Sequence, residues 1–251
     1  MRLETIQSIL DINRQFYQTF GDAFAMTRRR IQPGIRRILA DLPRDGHWLD
    51  LGCGSGALAL EWIRLEHTGS YTGIDFSTPL LAEAQRSLSE VSKATALQIQ
   101  FHQADLLSEN WPGLLYRNFY DGALCFAAMH HLPGKVTRLR FLKQVHSLLR
   151  PGSSFYHSNW QFQHSPKLVA RIQPWSLTAI DESDLENGDT LLDWRYSLPG
   201  QAETNGLRYV HIFSPEELAE LAKESGFRII DTFESDGEGG RLGLYQHWLA
   251  D

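Results

Sequence analysis

Leu49-Asp50-Leu51-Gly52-Cys53-Gly54-Ser55-Gly56 is the stretch that decides the fold. His47 to Leu51 form a short apolar run of strand length, and the glycines behind it mark a tight turn into a helix from about Gly56, with Leu58, Leu60, Trp62, Ile63 and Leu65 offered for burial. A turn built from residues without a Cβ lets a ligand approach the main chain closely. The spacing is G-x-G-x-G, whereas a pyrophosphate seated on a helix N-terminus calls for G-x-G-x-x-G, so the loop reads as an adenosine-nucleoside pocket. Asp75 follows the next strand, Ser70 to Ile74, and stands 19 residues beyond Gly56. There it is placed to accept hydrogen bonds from two ribose hydroxyls, a site that tolerates a phosphate poorly.

Outward from this unit the chain alternates strand and helix. A helical region over residues 1–44, with Ile6, Ile9, Leu10, Phe16 and Phe20 at helical spacing, precedes it. Ser77-Thr78-Pro79 opens the helix after strand two; strands three and four are expected at Leu97–His102 and Tyr120–Phe126. A helix over about 135–149 stops at Arg150-Pro151-Gly152, and strand five runs from Ser154 to about Trp160. Residues 161–210 are too long for a simple connection and are read as an insertion or lid over the site. Ser214-Pro215-Glu216-Glu217 combines a capping box with a first-turn proline, and strands at about 228–235 and 241–249, joined through Gly237-Glu-Gly-Gly240, predict a closing hairpin. Repeated strand-helix units imply an α/β, parallel, doubly wound sheet in a single domain spanning 1–251, with one antiparallel member from the hairpin.

Composition narrows the function. Of 251 residues, 42% are hydrophobic and 22% charged, ordinary values for a globular protein. No run approaches the ~18 to 20 apolar residues of a membrane span, and Arg2, Glu4 and Asp11 stand where a signal peptide needs an apolar stretch, so a cytoplasmic protein with no membrane partner is expected. Cys53 and Cys125 cannot make a disulfide framework, and His157, His164 and His211 lack short ligand spacing, so no metal is expected. The net charge of −6 argues against a uniformly basic nucleic-acid binder. Positive charge is nevertheless concentrated in Arg28, Arg29, Arg30, Arg36, Arg37 and Arg44 and again in Lys135, Arg138, Arg140, Lys143 and Arg150: solvated helix faces, or one basic face of a bipolar molecule.

The glycine loop, Asp75, Ala104-Asp105-Leu106 and the strand-four segment, in this order, resemble the class I S-adenosylmethionine methyltransferases over roughly residues 45–155. The resemblance implies a Rossmann-like, doubly wound seven-stranded sheet, mostly parallel, with helices on both faces. It implies S-adenosylmethionine as cofactor and S-adenosylhomocysteine as product. By the same resemblance Asp50, Gly52, Gly54 and Gly56 belong to the loop that receives the methionine half, Asp75 to the ribose and Asp105 to the adenine amino group. Phe76 and Leu106 would flank the base, Phe126 to His130, Met129 included, would line the floor, and Tyr17 and Arg28 would reach the cofactor from the N-terminal region.

Further patches resemble the methyltransferases that esterify 5-carboxymethyluridine at the tRNA wobble position, a group that includes the methyltransferase domain of a fused AlkB-like protein. They are Tyr17 with Phe24-Ala-Met-Thr-Arg28, Ala127-Ala-Met-His130-His131, Gly188 to Trp194, and Arg208 to Phe213; Asp193 and Val210 depart from the pattern. A carboxylate acceptor needs cations and donors around it, and Arg28, His131, Arg195, Arg208 and His211 are the candidates, with Arg28 equally suited to the cofactor's methionine carboxylate. Trp160, Trp194 and Tyr209 either pack or stack an extruded base. Two other readings stand beside tRNA esterification: a methyltransferase for a small carboxylic acid, phenol or quinone-like metabolite, and a noncatalytic cofactor-binding partner of an RNA enzyme. Eukaryotic members of the resembling group use a small zinc-binding activator subunit, and no segment of this sequence identifies a docking surface for one.

Overall fold

A computed structural model describes residues 1–27, 30–91, 96–117, 119–196 and 204–251. Helices α1 (Leu3–Thr27) and α2 (Pro33–Asp41) precede β1 (His47–Leu51), α3 (Ala57–Arg64), β2 (Ser70–Asp75), α4 (Thr78–Val91), β3 (Gln98–Gln103), β4 (Tyr120–Phe126), α5 (Lys135–Leu148) and β5 (Leu149–Trp160). There follow α6 (Pro166–Val169), β6 (Ile172–Gln173), β7 (Asp189–Tyr196), β8 (Thr204–His211), α7 (Pro215–Glu224), β9 (Phe227–Ser235) and β10 (Gly243–Ala250). The main sheet has the order β3-β2-β1-β4-β5-β10-β9. Its first five strands run parallel, and β10 lies antiparallel to both β5 and β9, as the glycine-joined hairpin predicts.

Side-chain alternation along the strands builds a core on each face of this sheet. Leu49, Leu51, Ala123, Cys125, Phe155 and Trp248 pack with Phe141, Leu142 and Val145 of α5 and Leu218 and Leu221 of α7. Trp48, Tyr71, Leu124 and Tyr245 turn the other way, onto Ile38 and Leu39 of α2 and Leu58, Ala59 and Trp62 of α3. No helix among the described residues is long and apolar enough to cross a membrane.

The stretch 161–210 supplies most of a second, three-stranded sheet, β6-β7-β8, antiparallel throughout. One of its faces, Leu191 and Tyr209, packs with Ile9 and Ile12 of α1, and the other, Leu192 and Val210, packs with Phe162. Gly206 lets α1 come close, since a Cβ there would stand 2.5 Å from the Phe20 ring and 2.9 Å from that of Phe16. Trp194 lies edge-on to Phe16, and Tyr209 is fully buried, so these two aromatic residues pack.

His211 belongs to the joint between the two sheets and lies outside the cavity described below. Its Nδ1 meets Asp189 Oδ1 at 2.7 Å and its Nε2 meets Glu217 Oε2 at 2.9 Å. Glu217 also pairs with the buried Arg138 at 3.0 Å, and Arg138 holds Glu186 as well. Ser214 Oγ caps α7 by accepting from the Glu217 amide, but the Glu217 carboxylate goes to His211 and Arg138, so this half of the expected capping box serves a tertiary contact. Glu186, Asp189 and His211 offer ligand-type atoms within 4.8 Å of one another, a grouping that linear spacing did not suggest. Here both imidazole nitrogens are already engaged by carboxylates and Arg138 supplies the countercharge.

Burial pulls the His211 pKa down, but the bonds to Asp189 and Glu217 outweigh it and hold the pKa above the ordinary histidine value. Burial likewise opposes ionisation of Asp189 and Glu217, and bonding to His211 leaves both below the usual carboxylate range. The histidine's contribution to stability is therefore complete below about pH 6.5 and fades as pH rises through its folded value; that of the carboxylates fades as pH falls below about 4. His211→Gln is expected to lose about 1.5–3 kcal/mol at pH 6, with the gap to the parent closing toward pH 9. Thermal melts across that range check it; a gap independent of pH contradicts the charged pair.

Candidate active site

The turn after β1 is held from the neighbouring strand. Gly52 and Cys53 donate their amides to Ile74 O at 2.8 and 3.0 Å, Gly54 N donates to Asp75 Oδ2 at 2.9 Å, and Ser77 N donates to Asp75 Oδ1 at 2.9 Å. Asp75 is thus the clamp of the glycine loop, a role its position alone did not reveal. Gly54 has φ +54°, and a Cβ added there would find nothing within 4 Å, because that side opens into a cavity. A positive-φ backbone with its bare face toward open space, beside an acid, is a cradle that suits a nucleoside ligand.

Asp50, Gly52, Gly54, Asp75, Phe76, Asp105, Leu106 and Phe126 all line this cavity, at the carboxyl ends of the parallel strands, and Tyr17, His131 and Arg208 line it from elsewhere. Burial pushes the Asp50 carboxyl up to about 7, against the Tyr71 hydroxyl that donates to it and with a further push from Asp75. Burial also raises Asp75, opposed by the amides of Ser77 and Gly54. Asp105 is oriented by the Leu107 amide on Oδ1 at 2.9 Å, while its Oδ2 accepts from Arg14 Nη2 at 2.7 Å.

The far end of the cavity is aromatic and cationic. His131 Nδ1 lies 2.8 Å from Tyr209 O. A carbonyl only accepts, so this nitrogen carries a proton; in the neutral ring the Tyr17 hydroxyl, 3.0 Å from Nε2, then donates to it. Arg208 is 3% exposed, with its guanidinium carbon 4.6 Å from the Trp160 ring centre and 5.2 Å from that of Phe16. The His130 ring stacks on the other aromatic neighbour, Trp160, at 5.6 Å and 19°.

Several expected site residues lie elsewhere. Gly56 is a packing glycine: its Cβ would meet that of Ala84 in α4 at 2.8 Å, and φ is +75°. Met129 is fully buried in the core beside α5. Arg195, half-exposed, bonds to Asp193 at 2.9 Å and is not among the lining residues, nor is His211. Arg28 falls outside the described residues; Arg30 lines the cavity. Leu10, Asn13 and Arg14 also line it, next to Tyr17 on one face of α1. Their signal was available, since polar residues at positions 13, 14 and 17 interrupt an otherwise apolar face at helical spacing.

A glycine cradle clamped by an acid, with a second acid one strand further along and the doubly wound sheet beneath, defines an α/β fold with a cavity suited to a nucleoside. The chain belongs to the methyltransferase domain family, whose model matches residues 24–232. It is similar to a tRNA (carboxymethyluridine(34)-5-O)-methyltransferase of Arabidopsis thaliana, 24% identical over 185 residues that cover 72% of this chain and 41% of that protein. A chloroplastic 2-phytyl-1,4-beta-naphthoquinone methyltransferase of the same plant is 26% identical over 223 residues, covering 88% of this chain and 79% of the relative. Among solved structures, the 1,6-didemethyltoxoflavin-N1-methyltransferase of Burkholderia thailandensis, with 1,6-didemethyltoxoflavin and S-adenosylhomocysteine bound, superposes with a TM-score of 0.64 at 19% identity, covering all of this chain and 92% of that one. The fold is that of the S-adenosylmethionine-dependent methyltransferases.

Gly54→Ala puts a methyl group into the open face of the cradle and strains its backbone, and Asp75→Ala removes the clamp and the acid together. Each is expected to weaken S-adenosylhomocysteine binding at least about tenfold, the scale of one or two lost hydrogen bonds. Calorimetry showing parent-like affinity in both, with melting unchanged, contradicts the assignment of this cavity.

Proposed function

We propose that this chain transfers a methyl group from S-adenosylmethionine to a carboxylate oxygen, and that the acceptor is the carboxymethyl group of a modified wobble uridine in tRNA. The observation that carries the esterification is Arg208: a buried guanidinium held between Trp160 and Phe16 at one end of the cavity, beside His130 and His131. A buried cation in a ligand cavity selects for an anion, and its planar fork matches a carboxylate. In this reading Asp75 accepts from the ribose, Asp105 from the adenine amino group, Phe76 and Leu106 flank the base, and Arg30 faces the cofactor's carboxylate. The stretch 161–210, through its second sheet and the Trp160 end of β5, closes the acceptor side.

The cofactor supplies an electrophilic methyl group on a sulfonium, so the protein has only to present a nucleophile. A carboxylate of pKa about 4 is already an anion at neutral pH and needs no general base. Arg208 orients it through hydrogen bonds that leave one oxygen lone pair free, and the Trp160, Phe16 and His130 rings exclude the water that would blunt it. His131, with its Nδ1 proton committed to Tyr209 O, fixes the Tyr17 hydroxyl and acts by alignment.

The acceptor in tRNA is supported by the likeness to the Arabidopsis tRNA enzyme and by the motifs around Arg208 and His131. A second reading, a small carboxylic acid, phenol or quinone-like metabolite, is favoured by the surface. Arg36 pairs with Glu61 at 3.1 Å, Arg37 with Asp231 at 3.9 Å, Lys135 with Glu220 at 2.9 Å and Arg140 with Glu109 at 3.2 Å, so much of the expected basic face is matched by acids. The quinone methyltransferase relative adds to it.

Labelled S-adenosylmethionine offered to separate tRNA and small-acid pools decides among these. Base-labile label on tRNA, with an acceptor affinity that falls steeply with salt, is the expected result; base-labile label confined to small acids turns the reading to the second acceptor. Tight donor binding without transfer to either pool leaves a noncatalytic role. Arg208→Gln is expected to raise the acceptor KM by about ten- to a hundredfold while S-adenosylhomocysteine affinity stays within about threefold. Single-turnover rates at saturating acceptor are expected to be flat between about pH 6.5 and 9; a tenfold rise per unit, removed by His131→Ala, points to a phenolic acceptor.

A further inference from the structure

Helix α1 spans the cavity and turns Leu10, Asn13, Arg14 and Tyr17 toward it. Among the described residues, polar ties through Asn13, Tyr17 and Arg14 hold it there. Asn13 Oδ1 accepts from Tyr209 N at 2.8 Å, a fully buried link to β8. Tyr17 meets His131 at 3.0 Å in the turn after β4. The third tie, Arg14 Nη2 to Asp105 Oδ2 at 2.7 Å, is different: it lies at the rim, with the two side chains 37% and 29% exposed, and it reaches across to the loop after β3.

We propose that Arg14 is a positioning residue, a latch whose bond to Asp105 closes the rim of the cavity over the bound nucleoside and sets how long the cofactor and its product stay. The inference rests on the placement of adenine at Asp105 given above. Asp105 is held in one orientation by the Leu107 amide on Oδ1. A carboxylate has about four lone-pair sites, so after the Leu107 and Arg14 bonds it still has room to accept an adenine amino group, and the latch need not open for the base to be read. Arg14 also touches Asp11 Oδ1 at 3.2 Å, one helical turn away, which offers the guanidinium a resting partner when Asp105 releases it.

Solvent explains why such a bond can gate. An ion pair in contact with water is weak, so in the empty cavity Arg14 leaves Asp105 at little cost while Asn13 and Tyr17 keep α1 in place, and association is not slowed. Once a nucleoside fills the space behind Asp105, water leaves, the effective dielectric falls and the same pair holds harder. A latch of this kind acts on departure more than on arrival.

The test follows dissociation of S-adenosylhomocysteine from the full chain by competitor chase, with association measured separately, and compares S-adenosylhomocysteine with S-inosylhomocysteine, in which a carbonyl replaces the adenine amino group. Arg14→Ala is expected to speed dissociation about tenfold and to change association less than about threefold, with Arg14→Lys in between. Its preference for the amino-bearing nucleoside should remain, because Asp105 is still present. Asp105→Asn should lose that preference. Parent-like dissociation in Arg14→Ala overturns the latch while leaving the adenine placement intact. An Arg14→Ala variant that loses the preference as fully as Asp105→Asn also overturns it, since Arg14 then only shapes Asp105. An Asp105→Asn variant that keeps the parent's preference removes the adenine placement, and the latch with it. Arg14→Gln, isosteric in its stem, serves if the alanine variant melts early.

Discussion

Everything at the ligand side hangs on one carboxylate holding two amides. Asp75 accepts from Gly54 on one oxygen and from Ser77 on the other, while the carbonyl just before it, that of Ile74, takes the amides of Gly52 and Cys53. The end of β2 therefore dictates the path of the chain leaving β1, and with it the direction in which α3 starts. A loop of three positive-φ glycines has large conformational freedom in the unfolded chain, and it is the neighbouring strand that removes it. Because the clamp uses backbone donors, the acid must sit buried, at the wall of the cavity. That burial lifts its pKa, with Asp50 behind it lifted to about 7.

Opposite this fixed floor stands a cover assembled from parts distant in sequence. Helix α1 rests on β8, and β8 is joined to α5 and α7 through His211, Glu217 and Arg138. The Arg208 end of the cavity is braced by that chain of contacts: Arg208 sits on the strand whose last residue is His211, and Tyr209 between them supplies the carbonyl that orients His131. The buried ionic joint thus anchors the end of the strand that carries the Arg208 guanidinium. Floor and cover meet at the cavity rim through Arg14 and Asp105.

The alternating strand-helix pattern made the seven-stranded sheet and its hairpin legible, because runs such as His47–Leu51 and Tyr120–Phe126 are short and largely apolar and glycines or prolines punctuate several of the connections between elements. The glycine loop, Asp75 and Asp105 were legible for the same reason: local geometry fixes them. His211, Arg195, Gly56 and Met129 were misplaced because their surroundings come from elsewhere in the chain. A histidine in a strand looks the same whether it faces a ligand or the carboxylates of Asp189 and Glu217, and a glycine in a cradle looks the same whether its bare side faces solvent or Ala84. The basic stretches were left open between a solvated face and a basic one, since partners such as Glu61, Asp231 and Glu220 are remote in sequence from the arginines and lysine that they pair with. Arg14 could have been found, as a charged residue one turn from Leu10 and Tyr17 on a helix face that must be covered.

The position of β10 has a bearing on biosynthesis. This strand, made after all the others, is inserted between β5 and β9, so β9 has no partner in the sheet until β10 arrives. Gly243 pairs with Trp160, which means that the Trp160 wall of the cavity is also finished by β10. During synthesis the first five strands can assemble in order from local strand-helix units, but β5 must remain an open edge, with unpaired amides and carbonyls, until residues 243–250 have emerged from the ribosome. A stalled or shortened chain therefore exposes the edge strand that carries Trp160, and aggregation of such chains would begin at the strand that helps wall the cavity.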